Sequence, residues 1–474
     1  MGVTERIPKG ILVAAVILGV IALAYLAYSR PGYFTSQIYL GGILLLECLA
    51  AGVWMYRRVF FPLIAVAFLL AGVDLPVGAF WSVLRWVFLA VGALSGTFLV
   101  FKERSHHFGL IHVVAMFAIL SALASAAVSQ FPQVALLKAL SLLLLFLYGS
   151  TGARLAVTGR ESQFFTGLLL GCEVFIGTLV GFYAIGIEMM GNPNSLGAVT
   201  GIVLAPVLLW GTFLEDTPFV QRRRFVLYAA CMYLVFHSHA RAGMATALIS
   251  SGVLCIALRK YGAVIKGAVV ILVLASASAI LQPENFSNAI SSLKTSVIYK
   301  GGAEGSLLAS RASPWQSAID SIHTHFWFGT GLGTVETNKD PKQIGIFSSN
   351  SNVTAENGSS YLAILSGVGV LGALPFSFLL LLLLGKSLRT LLWLAKTGNP
   401  CQPAVPLALI IVAGLFHAGF EDWLFAPGSY LCVFFWVSAF LLIDLVSGIG
   451  PDPRVSPSNA YSVSVGQELQ QPTM

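Results

Sequence analysis

The sequence predicts an all-α polytopic integral membrane protein, and three observations carry that reading. Only 10% of its 474 residues are charged, where a soluble globular chain needs about a quarter to cover a water-facing surface. Hydrophobic residues make up 57%, and the mean hydropathy is +0.84. Apolar runs of about 17 to 25 residues, the length that crosses a bilayer core as a helix, recur along the chain.

In order, the runs fall near 10–28, 38–55, 59–73, 84–101, 109–128, 133–150, 164–186, 195–214, 225–238, 243–258, 263–281, 360–385, 404–419 and 428–446. They predict about fourteen transmembrane helices, of which 59–73 and 225–238 are short. The first run, Ile11 to Tyr28, is longer than a signal-peptide core and lacks a convincing cleavage site, so it is expected to be retained. Orientation follows from the basic residues, which cytoplasmic loops accumulate. With both termini inside, Arg6, Lys9, Arg57, Arg58, Lys102, Arg104, Arg154 and Arg160 fall in the cytoplasm. So do the Arg222-Arg223-Arg224 cluster, Arg259, Lys260, Lys386, Arg389 and Lys396. The net charge of +7 is therefore read as topological, and no nucleic-acid motif accompanies it.

Three regions follow. Residues 1–160 form an N-terminal set of helices, residues 161–447 a core, and residues 448–474 a Ser-, Pro- and Gln-rich cytoplasmic tail expected to be disordered. Within the core, residues 282–358 make one large extracytoplasmic loop, of a length that is usually functional or disordered. Ser313-Pro314 reads as an N-cap and first helical position. Trp315, Ile319, Ile322 and Phe326 then recur on one face, which predicts a short amphipathic helix on the outer membrane surface.

Chemistry is sought among the few outer charges, because an ionisable group at a helix mouth is costly. Arg241, in His237-Ser238-His239-Ala240-Arg241-Ala242-Gly243, stands between two apolar helices. Its guanidinium can grip a phosphate with two parallel hydrogen bonds or snorkel to lipid headgroups. Arg311, ahead of the amphipathic helix, offers a second phosphate clamp or a solvated loop charge. Arg30 and Arg85 read as interface anchors. Glu356 lies where the long loop re-enters the membrane, and partial desolvation there would raise its pKa toward that of a general base. Glu421 and Asp422 occupy another outer turn, with His417 four residues earlier and on the same face if the helix is continuous. A helix cap at Glu356 and a structural His417–Glu421 pair are the structural alternatives.

Other patterns lead nowhere in sequence. Gly329-Thr330-Gly331-Leu332-Gly333 has no βαβ context and is not a nucleotide loop. His106 and His107 form an inner-surface pair, and His323 and His325 lack a third ligand. Cys48, Cys172, Cys231, Cys255 and Cys432 lie in apolar runs and Cys401 in a polar connection, with no C-x-x-C. Neither a metal site nor a disulfide framework is expected.

The order of motifs resembles the O-antigen ligase/polymerase superfamily over roughly residues 160–445. It runs from Gly191-Asn192-Pro193-Asn194-Ser195-Leu196-Gly197 to the His239-Ala240-Arg241-Ala242-Gly243-Met244 helix start. It continues through Ser310-Arg311, Trp315 and Phe328-Gly329-Thr330-Gly331-Leu332-Gly333 to Ser360-Tyr361-Leu362. The resemblance implies a GT-C-like glycosyltransferase of a bacterial inner membrane. Such an enzyme moves a glycan from an undecaprenyl-pyrophosphate carrier at the periplasmic face, with neither sugar nucleotide nor metal nor other cofactor. It implies that Arg241 and Arg311 hold the pyrophosphate leaving group. Ligases of the family typically carry a His, commonly followed by Asn, just before the Tyr-Leu pair. This chain has Glu356-Asn357 there, which looks more like members from exopolysaccharide clusters.

The expectation is an inverting, Wzy-type polysaccharide polymerase with Glu356 as base and Glu421 as the competing carboxylate. Arg241, Arg311, His239, Asn194, His417 and Tyr361 form the expected substrate-binding set. The expected partners are the lipid-linked donor and acceptor, the bilayer and a chain-length regulator. A ligase acting on lipid A-core or protein is the nearest rival. A transporter of polysaccharide or a small anion is the rival of another class, but it would place charges mid-membrane rather than at helix mouths.

Overall fold

The computed structural model describes residues 57–72, 78–103, 109–187, 189–190, 192–214, 217–262, 309–335 and 357–447. The predicted runs 10–28, 38–55 and 263–281, the tail, Arg30 and Glu356 lie outside the described residues, as does most of the 282–358 loop. No strand occurs among the described residues.

Six described segments are long and apolar enough to cross a membrane: Leu84–Phe101, Leu110–Val128, Pro132–Val157, Glu161–Ala184, Pro193–Thr212 and Ser360–Thr397. Shorter apolar helices occur at Phe61–Ala71, Arg241–Ala257, Ala404–Ala418 and Tyr430–Val446. In chain order the helices are α1 (Arg57–Ala71), α2 (Gly78–Glu103), α3 (Leu110–Val128), α4 (Pro132–Ser150), α5 (Gly152–Val157) and α6 (Glu161–Ala184). Next come α7 (Pro193–Val199), α8 (Ala205–Thr212), α9 (Pro218–His237), α10 (Arg241–Ala257) and α11 (Ala309–Thr324). The last three are α12 (Ser360–Thr397), α13 (Ala404–Ala418) and α14 (Tyr430–Ser447).

The predicted span 195–214 is two helices, α7 and α8, joined by a π turn at Thr200–Leu204. Pro206 has no N–H to give, which favours a wide turn just before it. This broken helix is the innermost of the candidate spans, with 94% of its window buried. Backbone contact fixes it: a Cβ on Gly201 would lie 2.5 Å from the Gly243 carbonyl oxygen, and one on Gly243 2.4 Å from that of Gly197. The helix α9 starts at Pro218, earlier than the apolar pattern suggests, and so takes in Arg222, Arg223 and Arg224. Arg223 and Arg224 reach Glu173 of α6 at 2.6 and 2.8 Å, and Arg224 also donates to Gly211 O at 3.0 Å. These arginines therefore lock α6, α8 and α9 together.

The contacts between helix ends respect an alternating up-and-down chain. Arg85 donates to Gly428 O (2.7 Å) and Tyr430 to Ser195 O (3.3 Å) at one end. Arg154 pairs with Asp444 (2.9 Å) and Trp210 donates to Pro400 O (2.8 Å) at the other. Arg85, expected as an interface anchor, packs over the Phe68 and Trp86 rings and ties α2 to the turn before α14.

The segment α12 spans 38 residues as two helical parts that meet at a kink at Gly369, and it runs past the predicted end at 385. Leu391 and Leu394 continue a buried face, so amphipathic packing extends the helix past its apolar run until Gly398 caps it at φ 66°. At Gly369 the chain is not helical (φ 67°, ψ 179°), a conformation confined to glycine. There the loop after α11 inserts. Phe326 O accepts from Val370 N (2.8 Å), and Thr330 N and Gly331 N donate to Ser366 O and Gly367 O (3.0 and 2.9 Å). Close approach thus explains the Gly329–Gly333 run: a Cβ on Gly329 would stand 2.4 Å from Gly367 backbone, one on Gly331 2.4 Å from Ser129 Oγ and one on Gly333 2.8 Å from the Lys138 side chain. A Gly369→Ala chain would combine a forbidden φ with a Cβ 2.4 Å from Trp327 backbone atoms. It is expected to lose at least about 3 kcal/mol, read as a lower thermal midpoint in detergent.

Candidate functional site

At the end of the molecule where α12 begins, four segments converge: the first turns of α11, the start of α12, the 419–429 turn after α13, and the first turns of α4. Ser360 is fully buried and stitches two of them. Its N–H and hydroxyl donate to Glu421 O (3.2 and 2.7 Å), while its Oγ accepts from Trp423 N and Leu424 N (both 3.1 Å). The 421–424 backbone therefore has one position relative to α12.

On that frame Arg311 donates to Glu421 Oε1, with the two side chains only 21% and 22% exposed. The helix α11 begins at Ala309 rather than after Ser313, so Pro314 lies inside it and Arg311 is helical. Tertiary contact overrides the local Ser-Pro start signal: Arg311 meets Glu421, and one turn later Trp315 Nε1 donates to Gly358 O (3.2 Å). The face turned to the protein is Arg311, Trp315, Ala318 and Ile322, whereas Ile319 and Phe326 of the expected apolar stripe are exposed. Asn357 donates from N and Nδ2 to Asp422 Oδ2 (3.4 and 3.3 Å), fixing the residue that follows Glu356.

Lys138 completes this cluster and was missed in the sequence reading. Its ammonium donates to Gly333 O and lies within electrostatic reach of Asp422. As the lone charge in the apolar run of α4 it could have been singled out by the cost of placing an ammonium there. Together, Lys138, Arg311, Glu421 and Asp422 set two cations against two carboxylates at one helix mouth.

The other expected residues divide. His417 was expected to pair with Glu421 on a continuous helix, but α13 ends at Ala418 and Glu421 lies in the following turn. Fully buried, His417 accepts at Nδ1 from the Trp423 indole (3.0 Å). Tyr361 donates its hydroxyl to Leu415 O (2.5 Å), joining α12 to α13. Asn194, His239 and Arg241 belong to a second cluster. Asn192 caps α7 by accepting from Asn194 N (2.9 Å), and His239 takes the left-handed turn (φ 52°) that leads into α10. Arg241 is the first residue of α10, half-buried, where the tight Gly197–Gly243 contact holds α7 against α10. Because α10 packs on both α12 and α13, the two clusters are carried by neighbouring helices.

Apolar helices of this length define a multi-pass helical membrane protein, with the candidate site at one end of its helix bundle. Residues 225–377 match the family model described as O-antigen ligase, Wzy_C, which supports the resemblance to the O-antigen ligase/polymerase superfamily. The match covers about a third of the chain and includes Arg241, Arg311, the Gly329–Gly333 loop and the kinked half of α12. No curated protein matches the chain.

Proposed function

We propose that the chain is a polysaccharide polymerase that extends a glycan held on undecaprenyl pyrophosphate at the periplasmic face of a bacterial inner membrane. The observation that carries this reading is Arg311, which lies in the segment matched by Wzy_C and is held at the helix mouth by Glu421 from beyond that segment. A hydroxyl of the lipid-linked acceptor attacks the anomeric carbon of the donor. The new C–O bond forms as the bond to the pyrophosphate oxygen breaks, with inversion. The hydroxyl proton passes to Glu356, and the departing lipid pyrophosphate carries its charge to Arg241 and Arg311. Glu421 then acts as the carboxylate that positions Arg311.

A ligase that transfers the finished glycan to lipid A-core or protein uses the same donor half-site, and Glu356 in place of a His favours the polymerase. The deciding experiment supplies purified protein in detergent with a synthetic lipid-pyrophosphate oligosaccharide. Elongation of the glycan is expected. Transfer only to an added core acceptor would make it a ligase, and vectorial flux without turnover would make it a transporter.

A further inference from the structure

In an unbroken α12, Val370 N and Leu371 N would donate to Ser366 O and Gly367 O. The kink at Gly369 separates these four groups, and the chain after α11 pairs every one of them. Val370 N and Leu371 N donate to Phe326 O and Trp327 O (2.8 and 3.4 Å), while Ser366 O and Gly367 O accept from Thr330 N and Gly331 N. The loop also closes on itself. Gly329 N donates to His325 O (3.0 Å), and the Thr330 and Thr334 hydroxyls donate to each other's carbonyl (both 2.9 Å). Gly329 to Leu332 are buried. A loop in water needs no such closure, because water serves its polar groups. Hydrocarbon offers none, so irregular backbone at membrane depth persists only where protein pairs and buries it.

Two lengths place this loop at a bilayer face. The helix α3 runs about 28 Å from Leu110 to Val128, close to the ~30 Å of a hydrocarbon core, and Ser129 just past its end meets Thr334 (3.3 Å). The second part of α12 covers about 28 Å between Val370, beside the loop, and Arg389. At that level three consecutive aromatic side chains point away from the protein. Phe326, Trp327 and Phe328 are 45%, 58% and 51% exposed, and Leu371 and Leu374 next along α12 are exposed as well. Aromatic rings of this kind collect at membrane–water interfaces. We infer that residues 326–334 form a re-entrant segment whose Phe326, Trp327 and Phe328 dip into the lipid at the face carrying the charged mouth. The occupant of this aromatic surface is the bilayer itself. The helix α11 then meets the membrane by its C-terminal tip rather than along its flank. The first part of α12, about 12 Å from Ser360 to Val368, carries the Arg311–Glu421 pair beyond the hydrocarbon. This inference uses the membrane character of the chain alone and stands apart from the glycosyltransferase reading.

The test uses the full-length protein in phosphatidylcholine nanodiscs, which open both faces to solutes. A nitroxide is attached through Trp327→Cys, and through Ser317→Cys as a control on the exposed flank of α11. Both are made with Cys401→Ser, which removes the exposed thiol, and the signal of Cys401→Ser alone is subtracted. Oxygen, which concentrates in lipid, is expected to relax the label at 327 more than a water-soluble nickel chelate does. The order should reverse at 317. Greater access for nickel than for oxygen at 327 would put the loop in water and overturn the proposal. Shielding from both reagents would mean that a protein partner or a second copy covers the surface, and would overturn it too. A second measurement needs no cysteine: tryptophan quenching in nanodiscs of lipid brominated near the headgroup end of its acyl chains. Trp327→Phe is expected to lose part of the quenching seen in wild type. Equal quenching in the two proteins would sink the proposal even if the labelled variant does not fold.

Discussion

Replacing Arg311 with alanine is expected to lower glycan transfer by about 10²–10³-fold, the size of effect seen when a donor to developing negative charge is removed. Of the five N–H donors on a guanidinium, the described structure commits one to Glu421. The pair remains about a fifth exposed, so the other donors can meet a phosphate at the mouth. Arg311→Lys keeps the charge but not the planar fork, and should fall between wild type and alanine. Glu421→Gln leaves the backbone carbonyl that anchors Ser360 intact but removes the charge that steers Arg311. If Glu421 acts only through Arg311, the double variant Arg311→Ala, Glu421→Gln should be no slower than Arg311→Ala alone. Multiplying losses would give Glu421 a separate task. A folded Arg311→Ala protein with wild-type kcat/KM would remove the pyrophosphate clamp from the proposed mechanism.

The helices were legible because their signal is local. Eleven of the fourteen predicted runs coincide with described helices, and the boundary errors have tertiary causes. The helix α9 starts early because Glu173 neutralises arginines that local hydropathy counts against it. The helix α12 outlasts its apolar run because one face of its polar extension is packed. The charged site was legible only residue by residue. Arg311 and Glu421 were both singled out, yet 110 positions separate them, and nothing in sequence says that they meet. The same distance hid Lys138, whose partner is a glycine carbonyl 195 positions away. Glycines were the most misleading. Gly329-Thr330-Gly331-Leu332-Gly333 carries no ligand signal in sequence: Gly329 stands against the Gly367 and Gly369 backbone and Gly331 and Gly333 against the Ser129 and Lys138 side chains, neighbours that are remote in sequence.

Glu356→Gln is expected to lower turnover by about 10²–10⁴-fold, the range for loss of a general base, while the KM for the lipid-linked donor stays near wild type. Among the described residues, the two carboxylates at this mouth are engaged, Glu421 by Arg311 and Asp422 by Asn357. Glu356 lies outside the described residues, but the position next to it does not. Asn357 is pinned by two hydrogen bonds to Asp422, and Gly358 stands against Trp315 and Arg311, where a Cβ would lie 3.3 and 3.4 Å from them. The Asn357–Gly358 anchor itself lies beside the guanidinium proposed to hold the leaving group. A base must be deprotonated to accept the acceptor's proton, so wild-type turnover should fall as pH drops through its pKa. Glu356→Gln should flatten that acid limb, and Glu356→Asp, with a carboxylate set back by one methylene, should keep the limb at a reduced rate. If Glu356→Gln instead retains both rate and acid limb while Glu421→Gln loses the limb, the base is Glu421, and Arg311 must be released from it during the reaction.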